Sequence, residues 1–293
     1  MKILLFGRDG QLGTHLNEIL VAESLSDNVE LSAYALEDLD LTHLDELRDV
    51  INEEQPDLII NAAAYTAVDK AEADADRAAM VNAKAPEVMA KAAAELNAGI
   101  IHYSTDYVFD GTAKQPYSEV DQPHPESVYG QTKLDGEKAV LAHCKNSLIL
   151  RTSWVYSMHG QNFLRTMLRL AAERDELTIV GDQFGAPTTT RALSDATLKL
   201  VQYFMLHGEF TDEVRGVYHM TCGGEASWCD FASAIIAASE FSDTRITAIT
   251  TADYPTPAKR PAYSVLSNDK LFDVFGIRLP DWKTALTQCM QES

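Results

Sequence analysis

Tyr129 and Lys133 stand four residues apart in the segment Tyr-Gly-Gln-Thr-Lys. On a helix this spacing places the phenol and the ammonium group on one face. A phenol has an ordinary pKa of about 10, and a neighbouring positive charge is expected to lower it by favouring the phenolate. The pair predicts a proton donor for a carbonyl group that accepts a hydride. Because Tyr-x-x-x-Lys is common by chance, this prediction depends on the segments around it.

A glycine-rich loop follows the first apolar segment of the chain. Residues 3–6 predict a buried strand, and Gly7, Gly10 and Gly13 follow it before an amphipathic stretch with helical spacing. A strand, a glycine turn and a helix in this order predict a dinucleotide pyrophosphate site. Glycine lets the backbone approach the phosphates, and the helix N-terminus presents N–H groups to their charge. An ordinary strand-to-helix turn is the simpler alternative.

Two more apolar segments end in residues that suit a ligand. Small side chains follow the run at residues 58–60, and they leave room for a flat ligand or for close helix packing. The run that ends at residue 105 carries the hydroxyls of Ser104 and Thr105, which suit a substrate oxygen or the cap of a turn. Because the carboxyl ends of parallel strands bind ligands in doubly wound sheets, we expect these residues at one site.

Strand and helix patterns alternate through the first 155 residues. This alternation predicts an α/β fold with a doubly wound, Rossmann-type parallel sheet covered on both faces. Residues 1–155 are expected to form the dinucleotide-binding domain, and residues 156–293 a smaller C-terminal α/β substrate domain. Part of the segment 193–220 is expected to return to the sheet. Pro86 is expected to kink or break a long alanine-rich helix.

The composition excludes several classes of function. A net charge of −20 argues against nonspecific binding to nucleic acid or to an anionic membrane. The four cysteines lack metal-finger spacing and indicate reduced intracellular thiols. No apolar run approaches the ~20 residues of a bilayer span, and the first residues lead directly into the glycine loop rather than forming a secretory signal. We therefore expect a cytoplasmic protein.

Taken together, these motifs resemble the dTDP-4-dehydrorhamnose reductase family, within the extended, nucleotide-sugar branch of the short-chain dehydrogenases/reductases. The matching stretches cover almost the whole chain. They are residues 4–13, 61–72, 102–111, 129–138, 151–156, 185–188 and 254–261.

The resemblance implies that NAD(P)H reduces the C4 ketone of dTDP-4-dehydro-L-rhamnose to dTDP-L-rhamnose, a step of polysaccharide biosynthesis. It implies that Tyr129 donates the proton, that Lys133 lowers the Tyr129 pKa and holds the nicotinamide ribose, and that Thr105 hydrogen-bonds the same oxygen. It places Asp106 and Trp154 against the sugar. The motifs and the resemblance together assign to the cofactor Gly7, Arg8, Gly10, Gln11, Leu12, Gly13, Asp40, Leu41, Ala64, Tyr65, Thr66 and Tyr103, in addition to Tyr129 and Lys133.

The choice between NADPH and NADH depends on the end of the second predicted strand. An acidic residue there normally accepts from the ribose 2′-hydroxyl of NAD, but none stands at the expected position, and Glu37 and Asp38 come late. Arg8, inside the glycine loop, suits a 2′-phosphate. We predict a preference for NADPH, with NADH as an alternative cofactor.

Metal dependence and the final assignment have alternatives. Some members of the family carry a carboxylate after Gly-Ala-Pro-Thr that helps to hold Mg²⁺ at a dimer contact, whereas this chain has Arg191, which cannot ligate a cation. We assign no metal ligands, and both Mg²⁺ dependence and a homodimer stay open. One alternative function is another nucleotide-sugar reductase or epimerase. A second is a non-catalytic regulatory subunit like that of methionine adenosyltransferase.

Overall fold

A computed structural model describes residues 1–24 and 29–291 of the chain. The strands are β1 (Lys2–Phe6), β2 (Glu30–Tyr34), β3 (Leu58–Asn61), β4 (Gly99–Thr105), β5 (Ser147–Thr152), β6 (Val155–Tyr156), β7 (Glu176–Val180), β8 (Phe184–Gly185), β9 (Thr188–Thr189), β10 (Gly216–His219), β11 (Ala226–Ser227) and β12 (Arg245–Ile249). The α-helices are α1 (Gln11–Ser24), α2 (Leu44–Glu54), α3 (Val68–Ala71), α4 (Ala75–Ala79), α5 (Ala85–Leu96), α6 (Val128–His143), α7 (Phe163–Ala171), α8 (Thr190–His207), α9 (Trp228–Ala237), α10 (Asp269–Phe275) and α11 (Trp282–Gln291).

Six parallel strands form the central sheet, in the spatial order β2-β1-β3-β4-β5-β10. The chain moves from β1 outward to β2 and then crosses to β3 on the other side of β1. This reversal opens a crevice at the carboxyl ends of β1 and β3, where doubly wound sheets bind ligands. The predicted fold class, a Rossmann-type parallel sheet, is confirmed.

Alternating side chains of β1 enter two different cores. Ile3 and Leu5 pack in the core that contains apolar residues of α1 and α8. Leu4 and Phe6 pack in the core that contains apolar residues of α2, α5 and α6. Because helices cover both faces of the sheet, the strand is apolar at consecutive positions, which is why its sequence lacks alternation.

Pro86 marks a change of helix type rather than a simple break. A π-helical turn, Met80–Lys84, separates α4 from α5, and Pro86 lies in the first turn of α5. Proline cannot donate a backbone N–H, so the regular α-helical ladder is interrupted where it stands. The expected interruption near Pro86 is therefore present.

The second half of the chain contributes to the central sheet and to three small ones. β10 pairs with β5 at the edge of the central sheet. The small sheets are the parallel pairs β6–β9 and β7–β12 and the antiparallel pair β8–β11. One core contains Leu5 of β1 together with Tyr156 and Phe231, so packing is continuous across residue 155. The division at that residue stays a prediction.

Candidate active site

A cleft of about 830 Å³ opens at the carboxyl ends of β1, β3 and β4. The predicted site residues that line it are Gly7, Gly10, Gln11, Leu12, Asp40, Leu41, Ala64, Tyr65, Thr66, Tyr103, Thr105, Asp106, Tyr129, Lys133 and Trp154. The structure therefore brings together residues from both halves of the chain. Arg8 and Gly13 lie outside this lining.

The glycine loop forms one end of the cleft. Gly7 has a φ of 88°, and a Cβ there would come within 2.7 Å of the Ala63 backbone nitrogen. A Cβ on Gly13 would collide with the Gly7 carbonyl, so Gly13 lets α1 pack against the turn rather than contacting a ligand. Because α1 begins at Gln11, its first N–H groups have no partner within the helix. These features fit a pyrophosphate group.

Lys133 is held against the end of β4. Its ammonium group donates to the Tyr103 carbonyl oxygen at 2.6 Å, and its side chain lies inside the protein, with 2% of the residue exposed. Burial lowers the pKa of Lys133 to about 8, and the carboxylate of Glu137 acts in the opposite direction. The lysine is therefore a cation whose charge depends on its surroundings near neutral pH.

The phenol of Tyr129 does not behave as the sequence predicted. Burial raises the pKa of Tyr129 to about 12, while a hydrogen bond with Thr105 acts to lower it. The expectation that Lys133 lowers this pKa is wrong for the present structure, because desolvation dominates and the Lys133 ammonium group points to a backbone carbonyl. A pKa raised in this way favours the neutral phenol of Tyr129 near neutral pH.

The hydroxyl groups at the end of β4 have different partners. Thr105 Oγ1 donates to Asp106 Oδ1 at 3.1 Å and accepts from the Tyr107 backbone N–H at 3.2 Å. The Ser104 hydroxyl donates to the Glu137 carboxylate. Thr105 thus caps the short helix that follows β4 and also contacts Tyr129. Its hydrogen bond with a substrate oxygen stays a prediction.

Asp106 is a buried carboxyl group on the same side of the cleft. Only 2% of the residue is exposed, and its Oδ2 atom has no hydrogen-bond partner. Burial raises the pKa of Asp106 to about 6. The carboxyl group lies in the lining of the cleft, and its contact with the sugar stays a prediction.

Asn82 organises the site and was missed by sequence analysis. Its Oδ1 accepts from the Tyr65 backbone N–H at 2.8 Å, and its Nδ2 donates to the Tyr65 carbonyl at 3.1 Å and to Thr132 Oγ1 at 3.2 Å. Asn82 thereby fastens the loop after β3 to α6. It lies in the π-helical turn, a feature that hydrophobic periodicity does not reveal.

Two indole rings form the far wall of the cleft. The Trp154 and Trp228 rings are stacked with centroids 3.5 Å apart and planes within 4°. Trp154 has a φ of 47°, which is unfavourable for a bulky residue and is common at functional sites. Trp228, which opens α9, was also missed, because no local pattern links it to Trp154. The predicted contact of Trp154 with the sugar stays a prediction.

Arg8 is surrounded by carboxylates rather than free. Its guanidinium group lies 2.9 Å from Asp9, 3.1 Å from Asp38 and 3.8 Å from Glu37. It also donates to the Ala33 carbonyl at 3.2 Å. The loop after β2 thus returns acidic side chains to the glycine loop, and any 2′-phosphate would compete with them for Arg8.

The structure also bears on the sequence expectations about metal binding and membrane insertion. Among residues 1–24 and 29–291, no group of three or more His, Cys, Asp or Glu side chains could hold a metal ion. Arg191 is exposed in the first turn of α8. Within the same described ranges, every helix falls short of the length or the apolar character that crossing a bilayer requires. Whether Mg²⁺ or a dimer is needed stays open.

Comparison with known proteins gives a consistent result. The family model described as "RmlD substrate binding domain" matches residues 1–293. The dTDP-4-dehydrorhamnose reductase of Burkholderia thailandensis is 45% identical over 302 residues, covering 100% of this chain and 99% of the relative. The chain belongs to the dTDP-4-dehydrorhamnose reductase family.

Solved structures agree with this membership. The dTDP-4-dehydrorhamnose reductase of Clostridium acetobutylicum superposes with a TM-score of 0.92 at 41% identity, covering 100% of this chain and 99% of the other. The dTDP-4-dehydrorhamnose reductase of Bacillus anthracis, solved in complex with NADP, has a TM-score of 0.90 at 32% identity with the same coverage. The resemblance to the dTDP-4-dehydrorhamnose reductase family is confirmed.

The indole stack is testable in a Trp282→Phe background, where Trp154 and Trp228 are the remaining tryptophans. Adding Trp228→Ala should shift the emission of Trp154 to longer wavelength, because water replaces the stacked ring. It should also lower the free energy of unfolding by about 2 kcal/mol or more. Fluorescence and urea titrations measure both effects. An unchanged emission maximum would show that Trp228 does not shield Trp154.

Proposed function

We propose that the chain is a nicotinamide-dependent reductase that converts the C4 ketone of dTDP-4-dehydro-L-rhamnose to the alcohol of dTDP-L-rhamnose. The main support is the convergence of Tyr129, Lys133 and Thr105 in one cleft with the glycine loop. Family membership over the whole chain supports the same substrate.

The residues of the cleft have different roles in the proposed reaction. A nicotinamide cofactor held in the cleft would supply the hydride for the C4 carbon. Tyr129 donates its phenolic proton to the C4 oxygen as negative charge develops there, and the Thr105 hydroxyl hydrogen-bonds the same oxygen. Such groups accelerate the reaction because they stabilise charge that appears in the transition state. Lys133 compensates the negative charge that Tyr129 acquires.

The cofactor and the sugar would occupy opposite ends of the cleft. The first N–H groups of α1, at Gln11 and Leu12, would hold the pyrophosphate, and Asp40 and Leu41 would border the adenosine. Lys133 would hold the nicotinamide ribose. At the other end, the Asp106 carboxyl group and the Trp154 ring, which both line the cleft, would contact the sugar. The NADP-bound relative from Bacillus anthracis supports a nicotinamide cofactor.

The cofactor preference that we propose is a modest one for NADPH. Arg8 provides a cation beside the glycine loop, but Asp38 and Glu37 already share its charge. Contact with the Arg8 guanidinium group therefore favours binding of a 2′-phosphate, and repulsion by the two carboxylates offsets part of this binding free energy. NADH avoids the repulsion, so both cofactors should support turnover.

The location and assembly that we propose follow the sequence expectations. Cys144, Cys222, Cys229 and Cys289 form no disulfide in the part of the chain that the structure describes, which suits the reducing cytoplasm. Catalysis is expected without Mg²⁺, because Arg191 stands where some members of the family carry a carboxylate. A homodimer is compatible with the exposed surface of α8.

Replacing the proton donor tests the central assignment. Tyr129→Phe should lower kcat by about 10²- to 10⁴-fold, the usual range for loss of a general acid, while NADPH affinity changes little. Tyr117→Phe is the matched control, because its buried hydroxyl contacts Asp110 outside the cleft. Oxidation of NADPH with dTDP-4-dehydrorhamnose is followed by absorbance. Near-normal turnover by Tyr129→Phe would refute the assignment.

The pKa of Lys133 predicts the alkaline limit of activity. Because burial sets this pKa at about 8 in the folded protein, the ammonium form dominates below that pH and is lost above it. We expect kcat/KM to be level near neutral pH and to fall through pH of about 8. Lys133→Arg keeps a charge that does not titrate in this range, so its residual activity should lack that limb. A limb that persists in Lys133→Arg would assign it to another group.

Cofactor preference can be shifted in both directions. Arg8→Ala should lower the ratio of kcat/KM for NADPH to that for NADH by about threefold to tenfold, the loss of one partly screened charge-assisted contact. Asp38→Asn should raise the ratio, because it releases Arg8 from its 3.1 Å ion pair. Steady-state kinetics with each cofactor measure the ratio. If Arg8→Ala leaves it unchanged, Arg8 has no role in selectivity.

A further inference from the structure

A fully buried ion pair lies behind the cleft. The Arg151 guanidinium group donates through Nε to Glu137 Oε1 at 2.9 Å and through NH2 to Oε2 at 2.7 Å. The two side chains are 4% and 2% exposed. The Ser104 hydroxyl donates to the same carboxylate. Apolar residues in place of such a pair often give equal or greater stability, so stability alone does not account for it.

The pair joins the three elements that carry the reacting groups. Ser104 directly precedes Thr105 at the end of β4, and Arg151 directly precedes the lining residue Thr152 at the end of β5. Glu137 lies one turn beyond Lys133 on α6. Because residues four apart share a helix face, the helix presents Tyr129, Lys133 and Glu137 in a row toward the sheet. One carboxylate therefore connects the helix to both strands.

The same carboxylate acts on the lysine electrostatically. Burial lowers the pKa of Lys133, and Glu137 raises it. His102 of β4 is held neutral, because burial and the Lys133 charge lower its pKa well below 6.5. The other titratable or charged groups around this part of the cleft are Tyr103 and Asp106 from the end of β4, Tyr129 of α6 and Arg151 of β5.

We propose that Glu137 is a positioning residue that, clamped by Arg151 and Ser104, fixes α6 against β4 and β5 and so holds the Lys133 ammonium group at the Tyr103 carbonyl. This rests on the proposed function for the reaction that Lys133 serves. The geometry favours the role over a purely structural one, because the carboxylate contacts the ends of both strands rather than their middles.

Three variants of α6 separate the positioning role from a structural one. Glu137→Gln removes the charge with little change of shape. Glu137→Asp retains the charge but shortens the side chain by one methylene. It provides a second test of the proposal if Glu137→Gln fails to fold. Val140→Ala, one turn further along the helix, truncates a fully buried apolar side chain without altering charge. Urea titration establishes how much each variant is destabilised.

Two pH-dependent measurements then decide the proposal. We expect Glu137→Gln to move the alkaline limb of kcat/KM to lower pH by about one unit. At a fixed pH on that limb, kcat/KM would then be about tenfold lower than in the wild-type protein. Glu137→Asp should give a smaller shift in the same direction, and Val140→Ala should keep the wild-type limb. The Kd for NADPH, measured by fluorescence without sugar, should weaken at correspondingly lower pH in the two Glu137 variants.

The outcomes distinguish this proposal from the proposed function. The positioning role is wrong if the folded Glu137 variants have the same alkaline limb of kcat/KM as Val140→Ala and the same pH dependence of the Kd for NADPH. If the wild-type protein does not reduce dTDP-4-dehydrorhamnose, the proposed function is wrong, and the NADPH titrations still decide the role of Glu137. If only Glu137→Asp folds, the pH dependence of its Kd for NADPH is compared with that of Val140→Ala. Equal pH dependence in the two variants would then refute the positioning role.

Discussion

A lysine ammonium group buried at the end of a parallel sheet is the constraint on which this site depends. A buried cation is costly unless hydrogen bonds and an opposite charge compensate it. Lys133 has the Tyr103 carbonyl oxygen at 2.6 Å and the nearby Glu137 carboxylate. Both requirements fix α6 against β4. Since Tyr129 lies on the same helix face, fixing Lys133 also places the phenol beside Thr105.

Burial has opposite consequences for the acid and for the cation. It raises the pKa of Tyr129 to about 12 and lowers that of Lys133 to about 8. A phenol with so high a pKa does not release its proton to water near neutral pH. In the reaction that we propose, proton transfer from Tyr129 would therefore accompany the growth of negative charge on the substrate oxygen, where the Thr105 hydroxyl and the Lys133 charge would stabilise the products. The Tyr129 phenol would thus keep its proton until negative charge develops on the substrate oxygen.

Local features of the site could be predicted from the sequence, because consecutive residues determine them. β1, the glycine turn and α1 follow one another directly, and the interruption near Pro86 follows from one missing N–H. The parallel arrangement of the sheet follows from the alternation of strands and helices, since parallel strands require crossovers. Tyr129 and Lys133 could be placed on one face, because their spacing is helical.

Contacts between distant segments could not be predicted in this way. Asn82 and Tyr65 are joined only because a π-helical turn aims the amide at the loop after β3. Trp228 meets Trp154 through the packing of α9, for which the single sequence has no signal. The pKa of Tyr129 was misjudged for a related reason: a charge four residues away is visible in the sequence, whereas desolvation is a property of the whole fold.

The acidity of the chain raises the question of how it binds anionic ligands. A net charge of −20 opposes a polyanion at long range, but the Debye length is about 8 Å at physiological ionic strength. Charges beside the cleft then matter most: Asp40 lies 3.4 Å from Arg77, whereas Arg8 is shared by Asp9, Asp38 and Glu37. The N-terminal N–H groups of α1 remain as an attractive, fixed partial charge. Affinity for the pyrophosphate therefore depends on the glycine turn that aims these groups, and not on the sign of the whole surface.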